Sequence, residues 1–126
     1  MAVLFVGMGG FIGSCMRFFI TRFCTTYLPD FPFGTLLSNI IAGFLIGFII
    51  GIERQSSALS DRLKLFLTTG MLGGLSTFST FSMETVTAFE NGKILLAAGN
   101  IILNLGLSLL CVILGLAAAK LIVKGN

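Results

Sequence analysis

Apolar residues run almost unbroken along four stretches of this chain, with short polar segments between them. The first stretch extends from about Ala2 to Thr25 and ends in the turn-like run Tyr27 to Pro32. The second covers Phe33 to Ile52 and stops at the charged, serine-rich segment Glu53 to Asp61. A third runs from Leu63 to Phe89 and closes at Glu90-Asn91-Gly92, where glycine suits a helix stop. The fourth runs from Ile94 to Val123. A hydrocarbon core about 30 Å thick needs on the order of 20 apolar residues in helical form. Each stretch reaches that length, so the pattern predicts an all-α integral membrane protein with four transmembrane helices in a single domain, residues 1–126.

Composition agrees with this pattern. Of the 126 residues, 56% are hydrophobic and 10% are charged, against roughly 25% charged in a soluble domain. Too few polar side chains are present to cover a surface in water, so the expected solvent is membrane lipid. The net charge of +3 is dispersed without a Lys/Arg run, and nucleic acid is not an expected partner. The chain has no histidine and no clustered cysteines, which excludes zinc or haem held by the usual ligands. Cys15, Cys24 and Cys111 are odd in number, so they cannot all pair within one chain, and buried thiols are expected. The amino-terminal run lacks a basic segment and outlasts a signal peptide's apolar core, so a retained first helix is expected.

Four spans put both termini on one side, together with Arg54, Arg62, Lys64, Lys120 and Lys124, while Arg17, Arg22 and Lys93 fall toward the other. Positive residues stay cytoplasmic, which favours the first set by a narrow margin. So little bias permits insertion in both orientations, and with it an antiparallel homodimer, without requiring one. Helices in lipid also need small faces for close contact. Gly9, Gly10 and Gly13 in the first stretch, Gly43, Gly47 and Gly51 in the second, and Gly70, Gly73 and Gly74 in the third supply them.

Polar residues inside the spans change the picture. Ser76, Thr77, Ser79, Thr80 and Ser82 follow Gly73 and Gly74 at membrane depth, where non-helical backbone is tolerated only against protein or a watery cavity. We expect the third helix to be broken near mid-membrane, between Gly73 and Thr77, because the midpoint of Leu63–Phe89 is Ser76. At that depth an inverted second copy can meet its own counterpart. Carbonyls freed there would attract a cation; a flexible kink without an ion is the equal alternative. Asn100, Asn104 and Ser108 recur every four residues and share a helix face, either lining a pore or joining helices. Thr35, Ser38 and Asn39 open the second stretch. Thirteen phenylalanines are present, so packing is the ordinary role for a pair. Phe78 and Phe81, however, stand within the hydroxyl run, and the positive edge of an aromatic ring can attract an anion.

Three segments, GGFIGSCMRF (Gly9 to Phe18), GTLLSNIIAGFLIG (Gly34 to Gly47) and GMLGGLSTFSTFSMET (Gly70 to Thr85), resemble the signature stretches of the CrcB/Fluc fluoride channels. Their order and spacing agree, and the resemblance covers nearly the whole chain. It implies an antiparallel, dual-topology homodimer in the bacterial plasma membrane with two fluoride pathways. By this resemblance, Phe78 and Phe81 present ring edges to fluoride, and Asn39, Ser79, Thr80, Asn104 and Ser108 belong to the polar route. The carbonyls of Gly73 and Ser76 would hold a central structural sodium ion. Glu84 matches an acidic residue after the phenylalanine motif and is expected at a pore vestibule. Arg17 is expected to anchor polar groups near one pore end, with Glu84 as a partner, because the first and third spans run in the same direction.

The implied activity is passive, selective export of fluoride from the cytoplasm, which lowers its toxicity, and not catalysis. A small dual-topology multidrug or guanidinium exporter is the alternative. Such an exporter uses a membrane-embedded glutamate in its first helix, and the first stretch here contains no acid. A non-transporting assembly factor would not require a broken polar span.

Overall fold

The computed structural model describes residues 1–56 and 59–124, and every regular element among them is helical. Part of the expected loop between the second and third stretches, residues 57–58, lies outside the described residues. Helix α1 spans Ala2–Tyr27, and α2 spans Phe33–Ser56. The third stretch is divided: α3 is Asp61–Lys64, a π-helical segment follows over Leu65–Leu72, α4 is Gly73–Leu75 and α5 is Phe78–Glu90. Helix α6 spans Ile94–Lys124. Among the described residues three helices, α1, α2 and α6, are long and apolar enough to cross a membrane, as expected of a multi-pass membrane protein.

Local chemistry explains where the helices stop. Helix α2 outruns the expected end at Ile52, and the Gln55 and Ser56 side chains fold back on the carbonyls of Gly51 and Ile52, at 2.9 and 3.0 Å. Ser60 caps α3 by accepting from the Leu63 N–H at 3.4 Å. At the far end of α5 the Gly92 N–H donates to Phe89 O at 3.0 Å and the Lys93 N–H to Ala88 O at 2.9 Å. These paired bonds need a left-handed residue between them, and Gly92 takes φ +72°.

Small residues bring the helices together. Gly43, Gly47 and Gly51 turn one side of α2 onto α6. A Cβ at Gly43 would lie 2.9 Å from Ser108 O, one at Gly51 would lie 2.6 Å from Ala119 Cβ, and one at Gly47 would overlap the Val112 carbonyl. In α1, Gly9 and Gly13 face the backbone of the π-helical segment in the same way. Between these contacts sits a core of Ala42, Leu72 and Leu75, flanked by Ile20, Ile41, Leu45, Ile46, Ile49 and Met71.

Two expectations need correcting. Gly73 and Gly74 are helical, not unwound, and the extended backbone begins at Ser76. Close approach accounts for Gly74, since a Cβ there would stand 2.6 Å from Gly10 O. The cysteines are free, but only Cys24 is buried; Cys15 and Cys111 are half-buried.

Candidate functional site

Ser76 and Thr77 are extended, with φ/ψ of −74°/152° and −152°/115°. Side chains have taken over the hydrogen bonds that a continuous helix would make here. The Thr77 N–H, ordinarily the donor to the Gly73 carbonyl, donates instead to Asn39 Oδ1 at 2.8 Å. The Thr80 N–H, ordinarily the donor to Ser76, is accepted by Thr77 Oγ1 at 3.2 Å, which makes Thr77 the N-cap of α5. The carbonyls of Gly73 and Ser76 are thereby released from their usual partners. Asn39 Nδ2 further donates to Thr77 O at 3.3 Å and to Asn104 Oδ1 at 2.9 Å. One asparagine of α2 thus holds the interruption to α6.

Beside the interruption lies an open groove of about 350 Å³. Asn39, Gly73, Ser76, Phe78, Phe81, Asn104 and Ser108 line it, among apolar residues that include Ala42, Leu72 and Leu105. No basic or acidic side chain contributes. The Phe78 and Phe81 rings stand 5.5 Å apart at 52°. Phe81 is buried, whereas Phe78 is 73% exposed. Ser108 Oγ is buried without a hydrogen-bond partner. Ser79 and Thr80 do not line the groove. Their hydroxyls turn to Thr77 Oγ1 instead, at 3.4 and 2.9 Å.

Glu84 belongs to a second cavity of about 370 Å³ at one end of the bundle, with Asp30, Thr87, Asn91 and Lys93. Its Oε1 accepts from Thr35 Oγ1 at 2.7 Å, while Oε2 is buried without a partner. The expected pairing of Arg17 with Glu84 is overturned. Arg17 Nε donates to Gly74 O at 3.0 Å, ten residues before Glu84 in the chain. Gly34, next to Thr35, packs on Thr21, so Glu84 is level with a point one turn beyond Arg17, about 6 Å along α1. Among the described residues the one ion pair is Lys64–Glu53, at 3.6 Å, between α3 and the end of α2.

Four polar residues outside the expected site carry much of this arrangement: Thr35, Thr77, Thr85 and Asn100. The one local signal for Thr77 is that threonine is a favoured N-cap residue at a helix start. Asn100 was visible only as one member of a stripe. No group of three or more His, Cys, Asp or Glu that could hold a metal occurs among the described residues, so a cation here would depend on carbonyl oxygens.

The sequence pattern of the family described as CrcB-like protein, Camphor Resistance (CrcB), matches residues 4–116. The chain belongs to this CrcB-like family. Among similar proteins, the fluoride-specific ion channel FluC of Clostridium perfringens is 49% identical over 120 residues, covering 94% of each chain. FluC of Clostridium novyi is 48% identical with the same coverage. FluC of Psychrobacter cryohalolentis is 45% identical, covering 94% of this chain and 97% of its own. The CrcB-like match takes in the groove, the interruption and the Glu84 cavity together.

Proposed function

We propose that this chain is a subunit of a fluoride-selective channel in the plasma membrane, carrying fluoride passively out of the cytoplasm. The reading rests on one observation above all: the groove gathers two phenylalanine rings, two asparagine amides and an unpartnered serine hydroxyl, with no formal charge among them. Fluoride is strongly hydrated, and a conducting site must replace its water while still releasing it. Neutral donors and ring edges do this without the tight hold of a buried Lys or Arg. The FluC relatives support the choice of ion.

Residues 61–90 form the remaining membrane span, interrupted at mid-depth. A second subunit, inverted, covers the exposed face that carries Phe78 and completes the route as an antiparallel homodimer. Ser79 and Thr80 contribute hydroxyls along that route beyond the groove. The Glu84 cavity forms a vestibule, with Lys93 at its rim. The released carbonyls of Gly73 and Ser76 suit sodium, a hard cation that prefers oxygen ligands, and two inverted copies would offer such carbonyls from both sides. When bound there, sodium supplies a fixed positive charge, while Asn39 and Thr77 keep the carbonyls free of helical hydrogen bonds.

The test is efflux from proteoliposomes under a potassium-driven potential, with fluoride and chloride compared. Fluoride should leave rapidly and chloride remain. Equal permeation, or no efflux of either ion, would overturn the reading. Transport of guanidinium or quaternary ammonium compounds without fluoride would point to the exporter instead.

A further inference from the structure

A single head-to-tail chain of hydrogen bonds encloses the first turn of α5. It starts at the Thr77 N–H, which donates to Asn39 Oδ1 at 2.8 Å. Asn39 Nδ2 donates to Asn104 Oδ1 at 2.9 Å, and Asn104 Nδ2 to Asn100 Oδ1 at 2.7 Å. Asn100 Nδ2 then donates to Thr85 Oγ1 at 2.9 Å, and the Thr85 hydroxyl donates to Phe81 O at 2.8 Å. The chain leaves α5 at its cap, crosses α2 and α6, and returns to α5 at Thr85, whose hydroxyl turns back to Phe81 O one turn from the cap. Phe78 and Phe81 lie on the enclosed turn.

The Thr77 end determines the polarity. A backbone N–H can only donate and a backbone carbonyl can only accept. An amide between them can usually turn over and exchange its oxygen for its nitrogen. Here each of the three must point its oxygen toward Thr77 and its nitrogen toward Phe81, or one link places like against like. Asn39 spends both of its N–H groups, on Asn104 and on Thr77 O. Asn104 spends one, on Asn100, which leaves its second N–H without a protein partner, and Asn104 lines the groove. Asn100 is 0% exposed and does not line the groove, so it cannot touch a passing ion.

We infer that Asn100 and Thr85 are positioning residues for conduction: they hold the Asn104 amide in the orientation that offers its free N–H to the anion. The inference rests on the channel reading. Thr85 completes the order from the far side: with its hydroxyl donating to Phe81 O, its Oγ1 accepts the Asn100 N–H. Asn100 in turn shows Asn104 its carbonyl oxygen.

The decisive comparison is Thr85→Val against Thr85→Ser in proteoliposomes. Valine keeps the volume and removes the lone pair; serine keeps the hydroxyl. Asn100→Leu is the second, more disruptive variant. Thr85→Val should lower fluoride efflux about tenfold, the scale of one lost hydrogen bond in a buried network, and weaken half-saturation by fluoride. Dimer yield in detergent should be unchanged, and Thr85→Ser should restore wild-type values. Asn100→Leu combined with Thr85→Val should be no worse than Asn100→Leu alone, since both break one chain. Wild-type fluoride efflux with Thr85→Val equal to Thr85→Ser overturns the inference and leaves the channel reading standing. A loss of efflux in Thr85→Val that merely tracks loss of dimer, with half-saturation unmoved, also overturns it. Absence of fluoride efflux in the wild type removes the channel reading itself, and the inference with it.

Discussion

Asn39→Leu should open the junction between α2, α5 and α6 at the interruption, because this one side chain makes three of the bonds there. Leucine has the same branched skeleton with bulkier methyl ends, so no cavity forms. The lost bonds are those at 2.8 Å from the Thr77 N–H, 2.9 Å to Asn104 Oδ1 and 3.3 Å to Thr77 O. Two groups are orphaned, the Thr77 N–H and Asn104 Oδ1; Thr77 O also faces the Phe81 N–H inside α5. A buried orphan in a soluble protein costs about 1–3 kcal/mol, while polar contacts between membrane helices average about 0.6 and reach about 1.7 kcal/mol. Weighting the membrane figures, two orphans amount to about 1–3 kcal/mol, a roughly 5- to 150-fold shift away from the closed junction. Freed from Asn39, the Thr77 N–H can also return to the Gly73 carbonyl and re-form helix across the interruption. Fluoride efflux from proteoliposomes should fall at least fivefold, and the unfolding midpoint in a detergent titration should fall with it. Efflux within twofold of wild type, at an unchanged midpoint, would refute the assignment of Asn39 as the junction's anchor.

Arg17→Lys should lower stability by about 1 kcal/mol, because an ammonium does not reproduce the directed Nε–H bond to Gly74 O. The check is the thermal midpoint in detergent, and an unaltered midpoint and efflux would refute it. Gly47→Ala should destabilise the subunit by about 1–3 kcal/mol through overlap with the Val112 carbonyl. Gly7→Ala meets nothing within 4 Å in the subunit and should leave the monodisperse yield unchanged; equal behaviour of the two variants contradicts the packing account. Replacing sodium with N-methylglucamine during purification should lower dimer yield and fluoride efflux. Identical results in both buffers would remove sodium from the Gly73 and Ser76 carbonyls.

Much of the architecture is legible in the order of residues because the bilayer enforces it. Spans of apolar residues must close their own backbone bonds, so length and hydropathy alone delimit α1, α2 and α6 to within a few residues. Local rules likewise place the turn at Gly92, whose positive φ closes α5, and the small α2 face that meets α6. The motif in the third stretch marks where polar chemistry gathers.

Partnership is another matter, since spacing along one helix cannot say which neighbour a polar group meets. Arg17 and Glu84 share a direction and an approximate depth in the sequence, yet packing of Gly34 on Thr21 sets them about a turn apart and sends Arg17 to Gly74 O. Gly73 and Gly74 look like helix breakers, but close contact between Gly74 and α1 keeps them helical; Asn39, thirty-eight residues from Thr77, is what draws the backbone out of helix. Asn100 reads as one polar residue in a stripe until α5 is laid beside α6 and Thr85 comes within 2.9 Å. A hydrogen bond acts over about 3 Å, so contacts of this kind come into being only once the helices have been assembled.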